Sequence, residues 1–322
     1  MANGATYTCA MASPLQLLHR ATHEPIRRWV LGAFPRDPGG TLDYDQPHAD
    51  PGLFGPDSVT WRIHADFPGM LAGGLAALMM QTLHPLALAG VWDHSNFRGD
   101  LVGRLRRTTT FVGATTYAPR AAAEGLIERV RRIHAHVHGM GEDGTPYSAD
   151  DPALLTWVHV TEAHSFLAGY RRFAHRDVPR AIADRYYDEV RRIAEALGAR
   201  DVPASEADVA DYFARVQPQL AYTDRSREVL RILAGVRLPV PLAGLSRDVF
   251  LNAGIALLPG WASDLLRQTP RQRQQARLAA RVLWSMAPAF RAALTDGVVS
   301  RAGRRVGMAP EAMRRWPSET TL

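Results

Sequence analysis

The 322-residue chain contains no lysine; all 38 of its basic residues are arginine. These are interleaved with 32 acids, so the net charge of +6 is spread along the chain, and no basic run of the kind that follows a phosphate backbone is present. Composition therefore argues against nucleic acid as a partner. Cys9 is the one cysteine, which excludes a disulfide within the chain and any paired-cysteine zinc site. The opening MANGATYTCAMASP has neither a charged stretch followed by an apolar one nor a twin arginine, so residues 1–12 read as disordered and the expected location is cytoplasmic. A P-loop, a glycine-rich dinucleotide turn, a serine nucleophile elbow, a His-Glu-x-x-His zinc helix and an internal repeat are all lacking.

A long unbroken apolar run is also missing. Phe67 to Trp92 is the most apolar stretch, and Gln81, His84 and Pro85 interrupt it. It reads as a buried helix broken near Pro85, with no stable membrane span. His84 is either a helix-terminal histidine bonded to backbone or a residue near a reaction centre. His94, next to Ser95, reads as a turn or cap.

What is present is helical periodicity. Pro14 to about Ala33 predicts a helix with Pro25 inside it, and residues 34–60, rich in Gly, Pro and Asp, predict an irregular arm. SVTWRIHAD alternates apolar and polar residues and predicts an extended lead-in. Helices are expected over Arg104–Gly113 and Pro119–Gly139, each with a glycine as its stop. Ser148 and Asp151 suggest a capping box for a central helix of about Asp150–Phe173. Amphipathic helices follow over Pro179–Ala199, Ser205–Val216, Asp224–Ala234, Ser246–Leu258, Trp261–Leu266 and Arg271–Ala293, with a proline-rich connector at 236–244 and a loosely packed tail at 302–322. The acids and arginines of Pro179–Ala199 read as a solvated face. The pattern predicts one all-α, multi-helix domain with its helical core at about 61–293.

Two stretches carry candidate chemistry. At about 100° per residue, Leu126, Ile127, Val130, Ile133 and Val137 share a stripe, with His134 inside it and His138 at its edge. A buried imidazole needs a partner, which could be a backbone carbonyl, a carboxylate or a metal. Arg104 and Thr108 share a face of the preceding helix, and Arg131 lies one turn before His134. Histidine with arginines and a hydroxyl suits a flat anionic cofactor, the imidazole taking the metal and the guanidinium groups the carboxylates. On the central helix, His159 and Glu162 are one turn apart. They read as a hydrogen-bonded pair or as a contact behind a cofactor or substrate; a di-iron centre would need a second Glu-x-x-His pair.

The ordered motifs GPDSVTWRIHADFPGM (55–70), QTLHP (81–85), HSNF (94–97), RLRRT (104–108), RVRRIHAHVHG (129–139), YSADDPALLTWVH (147–159) and LLPGW (257–261) resemble the haem b oxygenase family that includes MpaB and the rubber oxygenase, latex clearing protein. The resemblance implies a globin-like buried haem-binding core, with His134 as axial iron ligand. It further implies that Arg104, Thr108 and Arg131 lie at the cofactor, with Arg104 and Thr108 assisting catalysis; by their own positions His138 and His159 are further candidate cofactor contacts and His84 a further candidate catalytic residue. The activity it implies is oxidation of an apolar small molecule by dioxygen or a peroxide; a non-catalytic haem carrier or sensor, or a scaffold without cofactor, is the alternative. The chain departs from the rubber oxygenase at two points. Arg107 stands where that enzyme can place a distal lysine, and a guanidinium group cannot ligate iron. The stretch Leu78–Trp92, where a distal glutamate base is expected, contains no carboxylate. Oligomeric state is not legible.

Overall fold

The computed structural model describes residues 14–33, 42–236 and 243–317. The predicted disorder of 1–12 and most of the proline-rich connector lie outside them, as do residues 34–41 of the arm. The described residues are predominantly helical, with one short two-stranded ladder, and form an all-α domain. Helix α1 (Pro14–Ala33) carries Pro25 within it. The arm from Leu42 to Ser58 is irregular, as its composition predicts.

SVTWRIHAD is not extended: Val59–His64 is helix α2. Short-range alternation misled here because the stabilising groups are elsewhere. Ser58 caps the helix by accepting from the Trp61 N–H, and the carboxylate of Glu189 accepts from the N–H groups of Val59 and Thr60 at 3.1 and 2.8 Å. Three of the four amides a helix start leaves orphaned are thereby satisfied.

The apolar stretch is two helices, α3 (Phe67–Gln81) and α4 (Pro85–His94), bent by 103° at the break. Pro85 begins α4, and the side chain of His84 caps it. Among the described residues no single helix is long and apolar enough to cross a membrane. Next come α5 (Leu101–Tyr117) and α6 (Arg120–His134). Gly113 does not stop α5, which runs four residues further because Ala114–Tyr117 are buried and packing outweighs the propensity of one glycine. Nor does α6 reach Gly139. It ends at His134, and the chain turns into strand β1 (His138–Met140), which pairs antiparallel with β2 (Pro146–Ser148).

The long buried helix is α7 (Pro152–Phe173), capped by the carboxylate of Asp151 accepting from the Ala153 N–H rather than by a Ser148 box. It crosses α3 at van der Waals limits. A Cβ on Gly73 would stand 2.5 Å from the Ser165 carbonyl oxygen, and Gly169 faces Gly69 with no room for a methyl group. Around this crossing pack α8 (Arg180–Leu197), α9 (Glu206–Val216), α10 (Asp224–Ala234), α11 (Ala243–Ile255), α12 (Gly260–Leu265) and α13 (Pro270–Ala293), while α14 (Val298–Arg305) packs on α5. Trp29, Phe67, Phe250 and Phe290 knit α1, α3, α11 and α13 together. Arg305 is buried and donates to the carbonyls of Tyr44 and Asp50, which fastens α14 to the arm.

Candidate active site

Only Ala118 and Pro119 separate α5 from α6, and the two helices pack as a hairpin. Its closed end, Ala114 to Ala118, is fully buried. Towards the open end α5 becomes accessible: Gly113 meets no atom within 4 Å of an added Cβ, and Thr108, Thr109 and Thr110 are exposed. Arg104 and His134 stand at this open end, each about the same number of residues from the connecting turn. The periodicity expected the two residues on consecutive helices, and α5 and α6 are those helices.

His134 is half-buried. Its Nδ1 is shut off from solvent and has no hydrogen-bond partner among the described residues. Desolvation lowers the pKa of the imidazole, opposed by the charge of Asp150, so the ring is neutral at pH 7. The rest of the predicted stripe is looser than periodicity suggested. Ile133 is 53 % exposed because α6 ends one residue later and its last turn lies over open space instead of a neighbouring helix. Arg129, Arg132, Ile133, His136, Val137 and His94 line an open depression of about 500 Å³ on that outer side.

Arg104 lies largely out of water, which together with the charge of Arg107 lowers its pKa. One of its amino groups donates to the Ser95 hydroxyl at 2.7 Å. No carboxylate pairs with it among the described residues. Thr108 donates to the Arg104 carbonyl at 3.3 Å, and its hydroxyl remains at the surface. Arg131 is exposed and lies 3.6 Å from Glu128, and the side chain of His138 is exposed, its carbonyl 3.1 Å from His94 Nε2. Arg131 and His138 are therefore at the surface, whereas Arg104 is largely enclosed. His84 is buried against the Trp157 ring, with its Nδ1 accepting from the Ala87 N–H at 3.5 Å. Desolvation lowers its pKa against the opposing charge of Asp151. This is the backbone-bonded, helix-terminal arrangement.

His159 belongs to a second group, at the closed end of the hairpin. His64 of α2 lies 2.9 Å from Thr116 Oγ1 through Nδ1 and 2.9 Å from the Tyr186 hydroxyl through Nε2. Along α5, Thr116 is about 18 Å from Arg104 at 1.5 Å per residue. Desolvation, with some repulsion from His159, pushes His64 down to about 3. Desolvation alone takes His159 to about 4, and it raises Glu162 to about 7 against the effect of a hydrogen bond from Gln81. His64, His159 and Glu162 are strongly desolvated and yet retain accessible surface, so they border an internal space. Sequence reading singled out His159 and Glu162 but missed His64, whose signal was hidden in the misread alternation of SVTWRIHAD. Tyr186 is among the buried residues of α8, and the amphipathic pattern of Pro179–Ala199 holds no hint of its hydroxyl's partner.

Among the described residues no three His, Cys, Asp or Glu side chains are grouped to hold a bare metal ion. A metal already held by its own macrocycle needs only one such ligand from the protein. Residues 61–292 match the catalytic domain of the ER-bound oxygenase mpaB/B′ and rubber oxygenase family. The chain belongs to this family. No curated protein and no solved structure matches the chain. Membership makes the protein one of an oxygenase family, whose chemistry implies a small-molecule substrate and oxygen. The match begins at Trp61 in α2 and closes within α13, so it takes in the α5–α6 hairpin, the α3–α7 crossing and both groups of polar residues.

Proposed function

We propose that the protein is a haem b-dependent oxygenase acting on an apolar organic substrate, with His134 as the axial ligand. The observation that carries this reading is the imidazole of His134, neutral and with a buried Nδ1 that nothing in the described protein satisfies. Leaving such an atom unpaired costs on the order of 1–3 kcal/mol. A partner supplied from outside the protein would remove that cost. Bound at the open end of the hairpin, haem b would supply the iron that activates dioxygen or a peroxide.

The remaining roles follow from placement. Arg104 offers a desolvated guanidinium group with N–H donors beyond the one given to Ser95, suited to a propionate carboxylate. Thr108 sits one turn along the same face and can turn its hydroxyl from the Arg104 carbonyl to a neighbouring group. Arg131 and His138, at the surface, are placed to meet charge at the solvent edge. His84 holds the start of α4 by its ring and supports the site through α4 and Ser95. Glu162, which takes a hydrogen bond from Gln81, and His159, near His64, add polar groups to this part of the interior.

The test is the absorption spectrum of the protein purified from cells supplied with iron and a haem precursor, beside a His134→Ala variant. A Soret band in the wild type that is lost or shifted in the variant supports the reading. A protein that stays colourless after haem is added overturns it. Consumption of dioxygen with an apolar substrate then separates an oxygenase from a haem carrier.

A further inference from the structure

Helix α13 has an outer face that its inner packing does not explain. Ala276, Ala280, Leu283, Ala287 and Phe290 are buried against α1, α3 and α11. On the opposite side Leu278 is 61 %, Val282 39 % and Met286 42 % exposed. These three are spaced four apart, so they form one continuous apolar stripe along two turns. Trp284, 44 % exposed, lies to the side with its ring stacked on His175. The stripe is flanked by Arg277 and Arg281, one turn apart and both exposed, and Arg271 continues it towards the helix start. None of these three arginines has a carboxylate partner among the described residues. The helix contains five arginines and not one acid, whereas α8 carries acids and arginines in pairs.

We propose that the outer face of α13 lies on an anionic lipid bilayer, with Leu278, Val282 and Met286 entering the acyl boundary and Arg271, Arg277 and Arg281 meeting the lipid phosphates. The argument is charge complementarity joined to an apolar stripe. A helix in the interface plane needs a narrow apolar face with cations beside it. Long arginine side chains can lay their methylenes along the apolar boundary and keep their heads in the polar layer. A second copy of this chain would bring the same unpaired arginines against their equals, and an ordinary solvated face would not expose three aliphatic side chains in register. The helix is not a span: its other side is core.

The experiment is co-sedimentation of the full chain with vesicles of phosphatidylcholine alone and of phosphatidylcholine mixed with phosphatidylglycerol. The pairs Leu278→Gln/Met286→Gln and Arg277→Gln/Arg281→Gln are compared with wild type. Arg200→Gln/Arg215→Gln removes the same charge from exposed sites elsewhere. Partition to the anionic vesicles that falls about tenfold or more in each α13 pair, but little in the control pair, supports the proposal. Absence of partition, or partition that all three pairs weaken alike, overturns it, since the latter is the pull of net charge alone. Self-association of the wild type that the Leu278/Met286 pair abolishes also overturns it, because the face is then an interface between copies. The circular dichroism melt of each variant shows that the fold is retained, the changed side chains being at the surface.

Discussion

The carboxylate of Glu189 holds Thr60 twice, accepting from its backbone N–H and from its hydroxyl, both at 2.8 Å. The same carboxylate takes the Val59 N–H and a hydrogen bond from Arg185. A side chain of α8 thus caps α2 from 129 residues away in sequence, and α2 carries His64. Glu189→Ala leaves the Val59 and Thr60 amides and the Thr60 hydroxyl buried without a partner. The expected loss is about 3–5 kcal/mol of stability, measured as a shift of the urea midpoint. Glu189→Gln keeps one acceptor and should cost less than half of that. Equal midpoints for wild type and Glu189→Ala would show that α2 does not depend on this cap.

Two helical glycines should respond in opposite ways to alanine. Gly169 lies against the backbone of Gly69 at the α3–α7 crossing, and neither backbone can retreat without opening the main core. Gly169→Ala is expected to cost about 3 kcal/mol or more, or to prevent folding. Gly113 meets nothing within 4 Å, so Gly113→Ala should stabilise the haem-free protein by about 0.5–1 kcal/mol through helix propensity alone. Thermal melts of the two variants check both signs. A destabilised Gly113→Ala would mean that the space beside α5 is filled.

The periodic parts of the fold were legible in the chain, and the long-range parts were not. Pro25, Pro85 and the all-round apolar character of α7 placed α1, the α3–α4 break and the central helix. Helix α2 was lost because its start is held by Glu189, a residue whose helix reads as amphipathic with a solvated acidic face. Local alternation cannot report a cap supplied from another element. Gly113 was misread as a stop for the same reason, since burial of the four residues beyond it decides the end of α5. At the candidate site, helical spacing put Arg104 and His134 on two consecutive helices. That His159 joins His64 and Tyr186 at the other end of the hairpin depends on how α2, α7 and α8 converge, which no single segment encodes.

His134 separates a ligand from a structural histidine by its behaviour without cofactor. A hydrogen-bonded core histidine costs about 1–3 kcal/mol when it is removed, because its partner is left unsatisfied. Among the described residues His134 Nδ1 has no partner to strand. His134→Leu should therefore leave the urea midpoint of the haem-free protein within about 0.5 kcal/mol of wild type, or raise it, since an unpaired buried nitrogen is exchanged for carbon. The same variant should lose the Soret band after haem is added. A loss of several kcal/mol in the haem-free state would assign the ring a structural bond instead.

The internal polar group should give the protein two opposed pH dependences. His64 and His159 are held at about 3 and 4 by burial, against an ordinary 6.5. The folded state then binds fewer protons than the unfolded one below pH 6.5, so their contribution is present above 6.5 and is lost as the pH falls through 4 to 3. Glu162 works the other way. With a folded pKa of about 7 against 4.5, its contribution is complete below 4.5 and is lost as the pH rises through 7. Above pH 8 the ionised carboxylate costs up to about 3 kcal/mol, at 1.4 kcal/mol per pH unit. Glu162→Gln should accordingly match wild type at pH 5 and be more stable at pH 8.5, with the gap opening between 4.5 and 7. Urea unfolding at a series of pH values reads this directly. A gap that does not vary with pH would mean that Glu162 titrates as an ordinary solvated carboxylate, and that the space it borders is open to bulk water.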